Sequence, residues 1–194
     1  MFKLEVTRQE SFSRLQLILG ILFGWLYIGI PHLVALLFVV FVGKLLWVYA
    51  TFVILITGKY PKGIWDFQVG ILNWLSRFHL SSYNLMDGYP SFGLNGSAEQ
   101  LKIEITYNEA PDRLWVLLRF MFAGVLLFPH FLVWTFRNLW SGILSFLAIF
   151  AVLFTGSYPE KWFEFNVGTL RWVMRIMAYQ VYLIDDYPPF SGKE

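Results

Sequence analysis

TGKYPKGIWDFQVGILNW (Thr57–Trp74) and TGSYPEKWFEFNVGTLRW (Thr155–Trp172) are two versions of one phrase. The step of 98 residues between them also carries Pro31-His32 onto Pro129-His130, and Tyr89-Pro90-Ser91-Phe92 onto Tyr187-Pro188-Pro189-Phe190. Aligned without gaps, residues 25–92 and 123–190 share 22 identities in 68 positions, many of them Trp, Tyr, Pro or Gly, which makes chance a poor explanation. Upstream the step becomes 99. LEVT (Leu4–Thr7) meets IEIT (Ile103–Thr106) and Arg14 meets Arg113, so one residue was gained or lost in between. The pattern reads as a tandem duplication: a unit over 1–92, a polar Gly/Ser-bearing linker over 93–100, and a unit over 101–194.

The composition points to lipid. Of 194 residues, 57% are hydrophobic and only 14% charged, where soluble domains sit near 45–50% and 25%. That leaves too little polar surface to clothe a water-soluble globule. Aromatics reach 20%, with nine Trp, which suits anchoring at a lipid–water boundary. There is no cysteine, hence no disulfide frame and no thiolate chemistry. A net charge of +2 gives no footprint for nucleic acid. Glu5 and Glu10 and the length of the apolar run from Leu15 argue against a cleaved signal.

Each unit divides into four parts. FKLEVTR and LKIEITY alternate with period two, which predicts amphipathic strands outside the bilayer. The apolar runs Leu15–Thr57 and Leu114–Thr155 are about twice the ~20 residues that cross a ~30 Å core, so each predicts a helical hairpin. The turn is placed at Pro-His, with spans near 12–30, 32–57, 112–128 and 130–155. A rival turn at Arg137–Gly142 stays open for the second run. T-G-x-Y-P then caps a helix, with Gly58 or Gly156 in the left-handed region. Last come Ile64–Leu85 and Trp162–Ile184. There Asp66, Gly70, Asn73 and Arg77, matched by Glu164, Gly168, Arg171 and Arg175, make a polar stripe at helical spacing. Such a helix lies in the interface or packs with its stripe against a polar partner. The fold class expected is an all-α integral membrane protein of two parallel repeats. Each is a short β-strand, a transmembrane hairpin and an amphipathic interfacial helix, with four transmembrane helices in total. The cations collect on the strand and interfacial-helix side, and the positive-inside rule then puts both termini in the cytoplasm, at a bacterial inner membrane.

Few residues offer chemistry. Lys44, Arg119 and Arg137 are intramembrane cations, each a functional candidate or a snorkelling side chain. His32 and His130 match across the units, as a proton-relay or metal pair, or as histidines capping backbone groups at a helix turn beside proline. The Asp66/Arg77 and Glu164/Arg175 stripes suit anionic lipid headgroups, a partner or plain solvation. Leu4, Val6, Ile103 and Ile105 lie on strands with edges that can join a partner's sheet or each other. No phosphate loop, dinucleotide fingerprint, metal motif or catalytic triad is present. No enzymatic activity, cofactor or metal is expected.

The string from Pro129-His130 through LFTGSYPEKWFEFNVGTLRWVMRIMAY (Leu153–Tyr179) to DDYPPF (Asp185–Phe190) resembles an uncharacterised bacterial membrane family, the domain of unknown function DUF4389. The first unit departs from it with Asn73 for Arg171, Ser81 for Tyr179 and Ser91 for Pro189. The resemblance implies a membrane class and no activity. The function expected is a non-enzymatic membrane scaffold or accessory subunit, bound to lipid and to a membrane-protein partner or a second copy. The alternative is a small transporter, channel or lipid-handling protein.

Overall fold

Alternating apolar and charged residues make the first element of each half a strand. The computed structural model describes residues 1–193. β1 (Phe2–Val6) and β2 (Leu101–Ile105) pair antiparallel with each other, Leu4 opposite Ile103, Lys3 opposite Glu104 and Glu5 opposite Lys102. Leu4 is fully buried beneath the sheet. Lys3–Glu5 and Lys102–Glu104 form ion pairs of 2.6 Å on its water side. Leu4, Val6, Ile103 and Ile105 thus serve each other's strand, one of the two outcomes expected of them.

The predicted hairpins do not form. α1 (Arg14–Gly24), a five-residue π-helical turn (Trp25–Gly29) and α2 (Ile30–Thr57) run on as one helix, with Gly24, Trp25, Gly29 and Ile30 all in right-handed helical conformation. α4 (Arg113–Thr155) likewise passes through Pro129 and Arg137–Gly142, kinked only at Phe122 (φ −123°, ψ 16°). The physical reason is local. Pro31 lies just past the π-helical turn, whose wider hydrogen-bond pattern takes in a residue without an N–H while the chain stays right-handed helical. Neither run contains a residue with positive φ on which to reverse the chain. The step between the halves changes from 99 to 98 across the π-helical turn, and a π turn is how a helix takes up one extra residue.

The two long helices run antiparallel to each other. Arg14 Nη2 donates to the Phe154 carbonyl (3.1 Å), and the Phe12 N–H to the Gly156 carbonyl (2.8 Å). At the other end the Arg113 guanidinium lies against Gly58, and the Tyr60 N–H donates to the Glu109 carbonyl (2.8 Å). Each long helix therefore begins where the other ends. A helix C-terminus carries unmet carbonyls and partial negative charge. An arginine at the start of each helix meets that demand only if the two run antiparallel.

Gly58 (φ 76°) and Gly156 (φ 74°) end the long helices in the left-handed region, as the T-G-x-Y-P motif predicts. The chain then doubles back. α3 (Lys62–Ser82) lies along α2, α5 (Glu160–Gln180) along α4, and α3 touches α5. These two helices pack inside the fold. Trp65, Leu72, Trp74, Leu80, Phe163, Leu170, Trp172 and Ile176 are buried in the core. The sheet packs on α3 and α5 from the side away from the long helices. Three layers result: long helices, buried helices, then sheet and loops.

The outermost layer is apolar on its free face. Ile30, Leu33, Leu37, Phe41, Leu45, Val48 and Phe52 are exposed along α2, as are Val125, Phe128, Leu132, Phe136, Leu139, Ile143 and Phe150 along α4. The opposite face of α2, with His32, Leu36, Gly43, Ala50 and Ile54, is buried. Arg14–Thr57 and Arg113–Thr155 are long and apolar enough to cross a membrane.

Both caps need glycine, but not equally. A Cβ on Gly58 would overlap the Arg113 guanidinium, whereas one on Gly156 finds Arg14 no nearer than 3.8 Å. Gly156→Ala should cost about 1 kcal/mol for the left-handed backbone alone, and Gly58→Ala slightly more, because the exposed Arg113 guanidinium, at the end of a flexible side chain, must also shift. Denaturant titration of the two variants in detergent checks the order.

Candidate functional site

The polar side chains of the core do three jobs, and the first is to hold the long helices. His32 and His130 are fully buried. The Nδ1 of His32 accepts the Trp74 indole N–H (2.9 Å), and the Nδ1 of His130 accepts that of Trp172 (3.1 Å). Each imidazole is ringed by aromatics of its own half, Phe78, Tyr89 and Phe92 for His32 and Tyr187 and Phe190 for His130. An Nδ1 that accepts has no proton, so each ring is held as one tautomer by its own indole. Among the described residues no three His, Cys, Asp or Glu cluster for a metal. The partner of each histidine is thus an indole N–H rather than the backbone groups expected of a capping histidine.

The second job is to pin extended chain. Arg77, 1% exposed, donates from Nε to the Ser91 carbonyl (3.2 Å), from Nη1 to Gly96 (2.6 Å) and from Nη2 to Gly93 (2.5 Å). Arg171 donates to the carbonyls of Leu4 (2.8 Å) and Gly192 (2.7 Å), and Arg175 to those of Ser191 (3.4 Å) and Lys193 (3.0 Å). The stripe's partner is therefore the chain's own backbone, in the segments that leave α3 and α5. Burial lowers the pKa of Arg77 and Arg175, and the neighbouring Arg171 lowers that of Arg175 further. The rest of the stripe is peripheral. Asp66 pairs with Lys62, Asn73 bonds its own helix at Val69, and Glu164 is exposed.

The third job is to fasten α5 to α4. Arg137 donates to Thr169 Oγ1 (3.0 Å) and the Phe165 carbonyl (3.3 Å), over the Phe165 ring. Asn166 ties Ser141 (2.5 Å), Ser145 (2.9 Å) and the Tyr158 hydroxyl (2.7 Å) together in one buried network. Arg119, 1% exposed, reaches the carbonyls of Tyr179 (3.0 Å) and Ile184 (2.7 Å) and the Asp185 carboxylate (2.7 Å). Of the three intramembrane cations, only Lys44 is exposed, its ammonium 5.4 Å from the Trp47 ring.

Sequence reasoning missed Trp74, Trp172, Asn166 and Asp185. For the two tryptophans a signal existed, since Pro-His and Trp recur together, 42 residues apart from His to Trp in both halves. Tyr60 and Tyr158 of the T-G-x-Y-P motifs are buried. Burial, with Tyr182 and Tyr107 nearby, raises the Tyr60 pKa. Its hydroxyl donates to the Val181 carbonyl (2.9 Å), joining the two halves.

Residues 115–192 match the family model described as a domain of unknown function, DUF4389. The matched stretch takes in nearly all of α4, α5 and the segment held by Arg171 and Arg175. The resemblance drawn from the second half thus holds for one copy of the domain. No curated protein and no solved structure matches the chain.

One buried group sets a pH response. His79 stacks on Tyr83 (4.1 Å, 14°), and burial lowers its pKa to about 4. Above its unfolded value of ~6.5 it is neutral in both states and contributes no slope. Below that the unfolded chain binds the extra proton, so stability falls with pH, by about 3 kcal/mol at pH 4. His79→Phe keeps a stacking ring and cannot protonate. Urea titrations at pH 7 and pH 5 should show a smaller loss for this variant than for the wild type.

Proposed function

We propose that the chain is a non-enzymatic platform embedded in one leaflet of a bacterial cytoplasmic membrane. In this reading its two long helices lie along the bilayer, and the sheet faces the cytoplasm. The observation that carries it is the depth of the layers. A helix of 44 residues is about 66 Å long, against a hydrocarbon core of ~30 Å. Its apolar face is continuous over that length, so a steep crossing would leave half of it in water. The layers behind add a second argument. Leu4 in the sheet is bonded to Arg171, and the next residue, Trp172, is bonded to His130 near the middle of α4. A helix crossing the bilayer would carry the Lys3–Glu5 and Lys102–Glu104 pairs to mid-depth, where charge is costly. Lying flat, the same helices put their free faces in acyl chains and the sheet in water.

Duplication belongs to this reading, as two copies of one module about a near two-fold axis. Several paired features support it: helix caps at Ser13 and Asp112, left-handed glycines at 58 and 156, the two Trp-to-His bonds, and positive φ at Asn84 and Tyr182. The platform leaves the outer sheet edges and the cytoplasmic loops for a membrane-protein partner or a second copy. Anionic headgroups suit the Lys and Arg at the helix ends. Of the three cations that the conducting alternative could use, Arg119 and Arg137 are engaged inside the fold and Lys44 is exposed, which favours the platform.

The chain has no cysteine, so single cysteines report cleanly. Spin labels at Leu22, Leu37 and Val48 in liposomes should all lie at similar shallow depth by oxygen and nickel accessibility. Depth that passes through the bilayer centre and rises again towards the far leaflet would refute the flat arrangement.

A further inference from the structure

Four differences between the halves converge on one place. In the second half the Arg119 guanidinium bonds the carbonyls of Tyr179 and Ile184 and the Asp185 carboxylate, with the rings of Tyr179 and Tyr182 4.6 and 5.1 Å from it. The backbone around those acceptors recurs at the end of α3. The Leu85 N–H donates to the Leu80 carbonyl (2.8 Å) as that of Leu183 does to Ala178 (2.9 Å). The Asn84 N–H donates to Ser81 (3.1 Å) as that of Tyr182 does to Tyr179 (3.2 Å), with φ of 53° and 66°. The carbonyls of Ser81 and Met86 and the Asp87 carboxylate therefore stand where Arg119 finds its acceptors.

What faces them differs. Along α1, Arg14 matches Arg113 and buried Leu17 matches buried Val116; one turn further on, Gly20 stands in the place of Arg119. Tyr179 and Tyr182 are replaced by Ser81 and Asn84. The π-helical turn, with its extra residue, follows at once. Three large side chains have become small, and the space is a cavity of about 550 Å³. Its lining includes Gly20, Trp25, Phe78, Asn84, Asp87 and Tyr89. Asn84 Oδ1 is 3.9 Å from where a Gly20 Cβ would be. Asp87 Oδ2 accepts the Ser13 N–H (2.7 Å), and among the described residues no Lys or Arg forms an ion pair with it. π turns of this kind gather at binding sites.

We infer that this cavity binds an organic cation, a primary ammonium or guanidinium on a short apolar stem. The cation is held by the Ser81 and Met86 carbonyls and the Asp87 carboxylate, with its stem against Trp25, Phe78 and Tyr89. Aromatic walls favour such a cation, and charged donors make the stronger hydrogen bonds. The same chemistry comes from an amine lipid headgroup or from a soluble amine. The inference rests on the duplicated-module reading, and is independent of whether the helices lie flat.

The test is thermal unfolding of the full chain in phosphatidylcholine nanodiscs with propylguanidinium, against neutral propylurea. Propylguanidinium should raise the midpoint saturably, by roughly 5 °C near saturation, and propylurea should not. Gly20→Arg supplies the guanidinium from the chain and should lose the response. Gly20→Leu, which fills the space without charge, should lose it too and guards against a misfolded arginine variant. Discs containing phosphatidylethanolamine separate the sources. A raised midpoint with a weakened propylguanidinium response identifies the lipid headgroup, and an unchanged response identifies a soluble amine. No saturable response in phosphatidylcholine, or an equal response in both Gly20 variants, overturns the proposal. Arg119→Gly keeps that failure distinct from failure of the module: rescue of this variant by propylguanidinium with a silent wild type would keep the module and remove the site.

Discussion

A helix of forty-odd apolar residues is twice as long as hydrocarbon is thick, and the rest of the fold answers that mismatch. Folding the run into a hairpin is one answer, and the chain does not take it: none of the glycines within the two runs adopts a positive φ. It keeps the helix whole instead and builds a second layer along its length. α3 and α5 supply that layer because a glycine cap reverses the chain at Gly58 and Gly156, and because Trp74 and Trp172 find His32 and His130 near the middle of the long helices.

Arginine is the fastening throughout. Arg14 and Arg113 meet opposite ends of the long pair, Arg137 and Arg119 tie α4 to α5 and its exit, and Arg77, Arg171 and Arg175 hold loops and strand by their carbonyls. Carbonyl acceptors suit this use. A guanidinium offers five donors in a plane, so one side chain satisfies several backbone groups of an extended segment. The exposed face of the long helices can then be almost wholly apolar, because the polar demands of the chain are met behind it.

Part of this was legible in the sequence. Period-two alternation located both strands, and T-G-x-Y-P located both helix ends. The recurrence of Pro-His marked the histidines as a matched pair of positions. Helix direction was not legible, since it depends on Arg14 reaching the Phe154 carbonyl and Arg113 lying against Gly58, 140 and 55 residues away in sequence. The length rule predicted a hairpin in each run, whereas each run stays one helix. Stripe periodicity gives the face of α3 and α5 that carries Arg77 and Arg175, but not what covers it. The cover is backbone from the same chain, and backbone leaves no mark in a side-chain pattern.

Continuity of the long helix is the claim on which the layers, the antiparallel pairing and the flat arrangement all rest. It is most directly tested by pulsed electron resonance between spin labels on cysteines placed at Leu15 and Ile56. An unbroken helix sets the labels roughly 40 Å or more apart, at 1.5 Å per residue with allowance for the bend at the π turn. A distribution centred below about 20 Å would mean that the run folds back on itself, and would contradict the account.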